Sequence, residues 1–390
     1  MTMKFRMSKL YSSIVLMSCL SITYLGYISH TVNKVLFLCR IFIILYLSLL
    51  FILKRKRPSI LLITMTVFIG FIVSKTYLVG GDWINAVQQL SIPYVLSFYM
   101  DYVRDEDEAF SVLRTFRLIL ALLIIIDIFT MLKYPEGMYA TIYTDNWFLG
   151  YKTERLVYYL PFMIISAYLD LLNGTRIKAR TFLYGLIMIF IFYREAATTA
   201  MWSLVLLLIF YLLINYSYKI KLVLKFFKET FNYKFIVVIY ALITVGVFSI
   251  GNSGIMQYIV INILHKDITL DTRSQIWQSC YMALQGHSWS GLGFLSFIDY
   301  QTLTNNPFAT SAHNMILQLV MASGLIGLVL YSMFVVISAR KSNLSIINMP
   351  VVVGILILLI IGVTSSEMIF STFGFFFYSL ILVKSNKKVE

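Results

Sequence analysis

Two arginines and a histidine stand out as residues whose chemistry the surrounding chain does not explain. Arg194 sits in IFYREAATTAMW, between two apolar runs. Arg273 lies in TLDTRSQIWQSCYMALQGHSWSGLGF, and His313 opens the run HNMILQLVMASGLIGLVLYSMF with Asn314 beside it. An arginine presents a planar fork of donors, stays charged at any relevant pH and suits a phosphate ligand. A histidine at a helix entrance can take a proton near neutral pH. The stretch from Asn252 to Arg340 holds three of the four histidines, His265, His287 and His313. They show no close metal-ligand spacing, so no metal site is expected; His265 and His287 read as ordinary loop residues.

The elements that must position these groups are membrane helices. The 390 residues are 59% hydrophobic and 13% charged, with a mean hydropathy of +0.83. Soluble domains run about 45–50% apolar and about 25% charged. Runs rich in Ile, Leu and Phe without ten-residue alternation argue against a β-barrel. The expectation is therefore an all-α polytopic membrane protein, with residues 1–390 as one integral membrane domain. The net charge of +14 reads as cytoplasmic loops collecting Lys and Arg, not as a nucleic-acid surface. Cys19 and Cys39 fall in apolar runs and Cys280 is alone in the long loop, which indicates neither a disulfide set nor a zinc site. The N-terminus resembles a signal peptide but lacks a small-x-small cleavage site, so a retained first helix is expected.

The hydropathy pattern predicts about twelve spans, near 10–29, 35–53, 59–79, 84–100, 114–132, 155–172, 181–197, 199–216, 235–251, 313–338, 347–364 and 367–384. The least apolar is 84–100, with Gln88, Gln89 and Pro93. With both termini cytoplasmic, 23 of the 32 basic residues fall on the cytoplasmic side, as the positive-inside rule requires. Residues 252–312 then form a large outward loop, and 133–154 a smaller one. No internal repeat is visible.

The other nine basic residues need reasons: Lys34, Arg40, Lys75, Lys133, Lys152, Arg155, Arg194, Lys266 and Arg273. Each is a functional candidate or a snorkelling or ion-paired structural residue. Small residues after Arg194 predict close helix approach and a guanidinium buried in the bundle, with Glu195 as partner. In the long loop, Thr272-x-x-Gln275 has capping-box form, Ile276, Trp277, Cys280, Tyr281 and Leu284 share one helical face, and Gly286 is a stop. This predicts a short amphipathic helix with Arg273 in its first turn, where free N–H groups favour an anion. Asp127, inside IIIDIF, is expected to pair within the bundle, and Glu367 to cap a helix end. Asp105-x-Asp107 resembles a nucleotide-sugar metal pair, but it lies in a short cytoplasmic turn and reads as solvated.

His313-Asn314, nine residues, then Gly324-Leu-Ile-Gly327 resembles the signature of the O-antigen ligase and polymerase superfamily. Arg273-x-x-x-Trp277 with Gly291-Leu-Gly293-Phe294 is similar to that family's upstream pattern. YREAATTA at 193–200 resembles its Ser-Arg-small segment, with Tyr193 in place of serine. The resemblance covers about 193–330 and is most like the Wzy-type polymerases of O-antigen or capsule. It implies a GT-C-like helical membrane glycosyltransferase, working without a nucleotide sugar, metal or other cofactor. The enzyme would act on undecaprenyl-pyrophosphate-linked glycans at the outer face of the cytoplasmic (inner) membrane. A chain-length regulator and a flippase are the implied protein partners, beside the lipid bilayer. Arg273, Arg194 and His313 would be catalytic, and Arg155, Asn314, Trp277 and Lys152 substrate-binding. Trp147, Trp277, Trp289 and Phe294 are candidate faces for sugar rings. The alternatives are the sibling ligase that moves glycan onto lipid A-core, a lipid-linked sugar flippase or transporter, and a scaffold in an assembly complex. Sugar identity, linkage and oligomeric state are not encoded.

Overall fold

The first apolar run does not make one helix, because a buried arginine interrupts it. Arg40 donates from Nη1 to the carbonyl of Ser18 at 2.8 Å, from Nε to Ser91 Oγ at 2.8 Å and from Nη2 to the carbonyl of Gln88 at 3.2 Å. Ser18 Oγ turns back on the Val15 carbonyl. The helix that starts at Thr2 therefore stops at Ser18 rather than running from 10 to 29. Arg40 satisfies main-chain oxygens where the polar residues of the 84–100 segment meet two other helices, so it is structural.

The computed structural model describes residues 2–20, 22–103, 106–141, 145–174, 176–217, 233–250, 269–307, 309–341 and 346–363, with 365, 374, 376, 378 and 379. Its helices are α1 Thr2–Ser18, α2 Thr23–Ile28, α3 His30–Leu53, α4 Ile60–Leu78, α5 Trp83–Tyr102, α6 Glu106–Lys133, α7 Leu156–Leu172, α8 Ala179–Arg194, α9 Thr198–Ser217, α10 Tyr233–Ile250, α11 Thr269–Ala283, α12 Phe297–Thr304, α13 Met315–Lys341 and α14 Met349–Gly362. A small hairpin, β1 Asn146–Trp147 with β2 Gly150–Tyr151, lies between α6 and α7; Asn146 pairs with Tyr151 and Trp147 with Gly150. The expected span at 367–384, Glu367, His265, Lys266 and Asp105 lie outside the described residues, except for the isolated positions in that span.

The chain is thus a mostly helical membrane protein. Among the described residues, five helices are long and apolar enough to cross a bilayer: Thr31–Leu53, Ile60–Leu78, Glu108–Lys133, Thr198–Ser217 and Met315–Ser338. Only 22% of the most apolar window of the first is buried within the protein. Phe42, Ile52, Leu78 and Phe129 are 67–77% exposed, a surface that lipid tolerates and water does not. α7 and α14 are shorter and buried nearly all round, as central helices must be. They touch at Gly354, where an added Cβ would stand 3.0 Å from Ile164 Cγ1. α14 also packs on α9, and α13 packs on α4 and α10.

Candidate functional site

The glycines of the long loop and of α13 lock the long polar segment onto a broken helix. Gly324 has φ 62°, ψ −162°, a combination essentially confined to glycine. The break removes helical bonds, and the loop replaces them. The Met321 carbonyl accepts from Leu292 N at 2.7 Å, Leu325 N donates to the Ser288 carbonyl at 2.9 Å, and Ile326 N to that of Trp289 at 3.1 Å. Non-helical backbone inside a bundle is tolerable only when its polar groups find partners in this way. A Cβ on Gly324 would strike the carbonyl of Trp289, and one on Gly291 would stand 2.6 Å from Ser323 N. Gly293, at φ 86°, backs onto Thr76 of α4, whose Oγ1 accepts from Phe294 N at 2.8 Å. Gly327 leaves room for the Ser323 side chain. The paired-glycine pattern is therefore an architectural device.

His313 stands at the head of the same helix, in the left-handed region at φ 46°. Its neighbours are tightly specified. Ala312 N donates to Gln318 Oε1 at 2.9 Å, and the Ala312 carbonyl accepts the indole N–H of Trp277 at 2.9 Å. Asn314 caps α13 by accepting from Leu317 N at 3.0 Å, while its Nδ2 donates to the Val363 carbonyl, just past α14, at 2.9 Å. Burial pushes the His313 imidazole down to about 4, and the positive charge of Arg273 adds to the effect. The expected proton uptake near neutral pH is thus corrected. At neutral pH His313 is an uncharged acceptor, because its site penalises the cation.

The loop helix forms, with Ile276, Trp277, Cys280 and Leu284 buried and Tyr281 half-buried along its inner face. It starts at Thr269, however, so Thr272 is not its cap and Arg273 lies beyond the first turn. Its positive charge is felt at His313. Trp277 is 7% exposed, and its N–H is committed to the loop that presents His313. Asn314 likewise holds two helices together. Trp147 is also covered, at 1% exposure, whereas Trp289 is 73% exposed; Phe294 is half-buried.

A second group gathers at the start of α7 and the end of α8. Arg194 closes α8 in a tight turn, where Ala197 N reaches back to the Phe192 carbonyl at 2.9 Å and Ala196 N to that of Tyr193 at 3.1 Å. Ala196 takes the left-handed C-terminal position at φ 51°, usually given to glycine. The small residues do pack, with Ala197 and Ala200 buried, but the Arg194 side chain is exposed, contrary to expectation. It ends its helix and so projects past the packed turn. Burial raises the Glu195 carboxyl, while Arg155, Arg194 and Lys152 pull it down and Asp145 adds to the rise. Those charges therefore share one neighbourhood. Lys152 sits over the ring of its neighbour Tyr151, 5.4 Å from the centroid.

Arg155 is fully buried and pairs with Asp127 at 3.4 Å. Asp127 thus pairs within the bundle as its position suggests, and also accepts from Tyr159 Oη and Leu149 N, each at 2.9 Å. The sequence does not reveal Tyr159 or the hairpin as part of this arrangement. The only local signal is Gly150, which takes φ 108°.

Residues 161–332 match the family model described as O-Antigen ligase. No curated protein and no solved structure matches the chain. The matched segment contains Arg194, Arg273 and His313, and begins after Arg155.

Proposed function

We propose, from the chain's place in the O-antigen ligase/polymerase superfamily, that it is a polysaccharide polymerase. It joins undecaprenyl-pyrophosphate-linked repeat units at the outer face of the cytoplasmic membrane. Twelve spans with both ends inside, a GT-C-like arrangement and catalysis without a metal belong to this proposal, as do a flippase and a chain-length regulator as partners.

The observation that carries it is the family match over residues 161–332, which hold Arg194, Arg273 and His313; burial and the charge of Arg273 both favour the neutral form of that imidazole. A neutral imidazole can accept the proton of an attacking sugar hydroxyl as the new glycosidic bond forms. The bond to the lipid pyrophosphate oxygen breaks, and the growing negative charge falls to Arg273 and Arg194. Arg155 and Lys152 add to the positive field.

Arg273→Ala, Arg194→Ala and His313→Ala are each expected to abolish the full-length ladder of surface glycan at unchanged protein level. Full ladders from all three would overturn the assignment. The family description names the ligase, so that sibling activity is the second reading. A deletion strain separates them. One-repeat surface glycan means a lost polymerase, unattached full-length chains a lost ligase, and repeat units held on the cytoplasmic leaflet a lost flippase.

A further inference from the structure

Asp127 uses its two oxygens on three donors that come from different parts of the chain. Oδ1 takes Leu149 N of the hairpin, and Oδ2 takes Tyr159 Oη and Nη1 of Arg155. The Arg155 guanidinium is 4.7 Å from the ring centre of Trp147 and 5.6 Å from that of Phe192, and its Nη1 also touches the Met131 sulfur. Its orientation is therefore fixed by one carboxylate and two aromatic rings.

Two of its nitrogens are left over. Nε and Nη2 are buried and have no hydrogen-bond partner among the described residues. Buried donors of a charged group nearly always have partners. These two lie along one edge of the planar fork, the edge that matches two oxygens of a phosphate or carboxylate. A pair built for stability alone would turn such an edge to the carboxylate. Here Asp127 takes a single nitrogen, at 3.4 Å, and spends its other oxygen on Leu149 N. Lys152 and Arg194 bring further positive charge to the same neighbourhood, beside the acidic Glu195 and Asp145.

We infer that Asp127 is the positioning residue of a buried oxyanion receptor, whose binding edge is Nε and Nη2 of Arg155. The ligand is a phosphoryl group or the carboxylate of an acidic sugar; only this choice of sources rests on the proposed function. Because the guanidinium is fully covered, the incoming oxyanion displaces part of its cover. The β1–β2 hairpin, tied to Asp127 through Leu149 N, is the segment placed to move.

The test uses the full-length protein in lipid nanodiscs, with inorganic pyrophosphate and glucuronate as probes in calorimetric titrations. Wild type is expected to bind one of them, and which one names the source. Arg155→Lys keeps the charge but loses the edge, and is expected to weaken that probe at least about tenfold. Asp127→Asn is expected to weaken it by about tenfold as well. Tyr159→Phe, which spares the ion pair, should cost about fivefold and serves if Asp127→Asn fails to fold. Binding unchanged in Arg155→Lys, or no binding of either probe to wild type, overturns the receptor. Asp127→Asn and Tyr159→Phe that melt earlier yet bind like wild type overturn the positioning role. The two readings fail separately. Arg155-dependent binding in a protein whose deletion leaves surface glycan normal sinks the polymerase and keeps the receptor. Loss of polymer in His313→Ala with unaltered binding in Arg155→Lys does the reverse.

Discussion

The indole N–H of Trp277 reaches 2.9 Å to the carbonyl of Ala312, the residue before His313. One hydrogen bond thus joins the loop helix that carries Arg273 to the loop that presents the histidine. Trp277→Phe keeps an aromatic ring but deletes this bond and leaves a small void where the larger indole packed. It leaves the carbonyl of the fully buried Ala312 unpaired, a cost of about 1–3 kcal/mol. The expected result is a lower melting temperature in detergent and a shortened glycan ladder.

Gly324 and Gly70 make a matched pair. Gly324→Ala must adopt a glycine-only backbone and strike the Trp289 carbonyl, so it should lose more than about 1–3 kcal/mol. Gly70 lies inside α4 with nothing within 4 Å of an added Cβ. Gly70→Ala should gain up to about 1 kcal/mol from helix propensity. Thermal unfolding of the two variants side by side checks both signs.

His313 makes stability and activity depend on pH in one direction. Its folded value of about 4 lies below the ordinary 6.5, so between those values the unfolded chain binds more protons. The stabilising contribution is complete above 6.5 and is lost as pH falls toward 4. The acid limb of kcat/KM set by this group should likewise lie near 4. In Arg273→Gln the imidazole itself should titrate higher, since one cause of the depression is removed; an NMR titration of His313 in the two proteins reads this without needing activity.

Ala196 occupies a left-handed position at the end of α8, which costs an L-residue roughly 1–2 kcal/mol. Ala196→Gly is expected to recover about 1 kcal/mol without moving Arg194. A melting temperature that fails to rise would mean the turn is not strained.

Much of the architecture was legible in the chain. Apolar run lengths place α4, α5, α7, α8, α9, α10, α13 and α14 within about three residues, because a helix in a bilayer needs a continuous greasy run; α3 and α6 begin earlier than their apolar runs, at His30 and Glu106. The inner face of α11 follows from its 3.6-residue spacing, and the pairing of Asp127 from the cost of an ionised group among apolar neighbours. The break after Ser18 was not legible. It depends on Arg40 arriving from a different helix, and no local pattern at Ser18 announces that.

The arginine–histidine candidates show the same division. Residue type alone determined that Arg194, Arg273 and His313 are out of place in a greasy chain, and their spacing determined the family resemblance. Tertiary structure decided what each one is. It left the Arg194 side chain exposed past a tight turn, and it covered His313 enough, with the charge of Arg273 felt there, to favour the neutral imidazole. It also turned Trp277 and Asn314 into supports and the paired glycines into a joint between loop and helix. The reason is physical: a charge or hydrogen-bond donor is defined by its type, but its protonation and its free valences depend on neighbours that are distant in sequence. Arg273 and His313 are forty residues apart, and only the fold lets the charge of one be felt at the other.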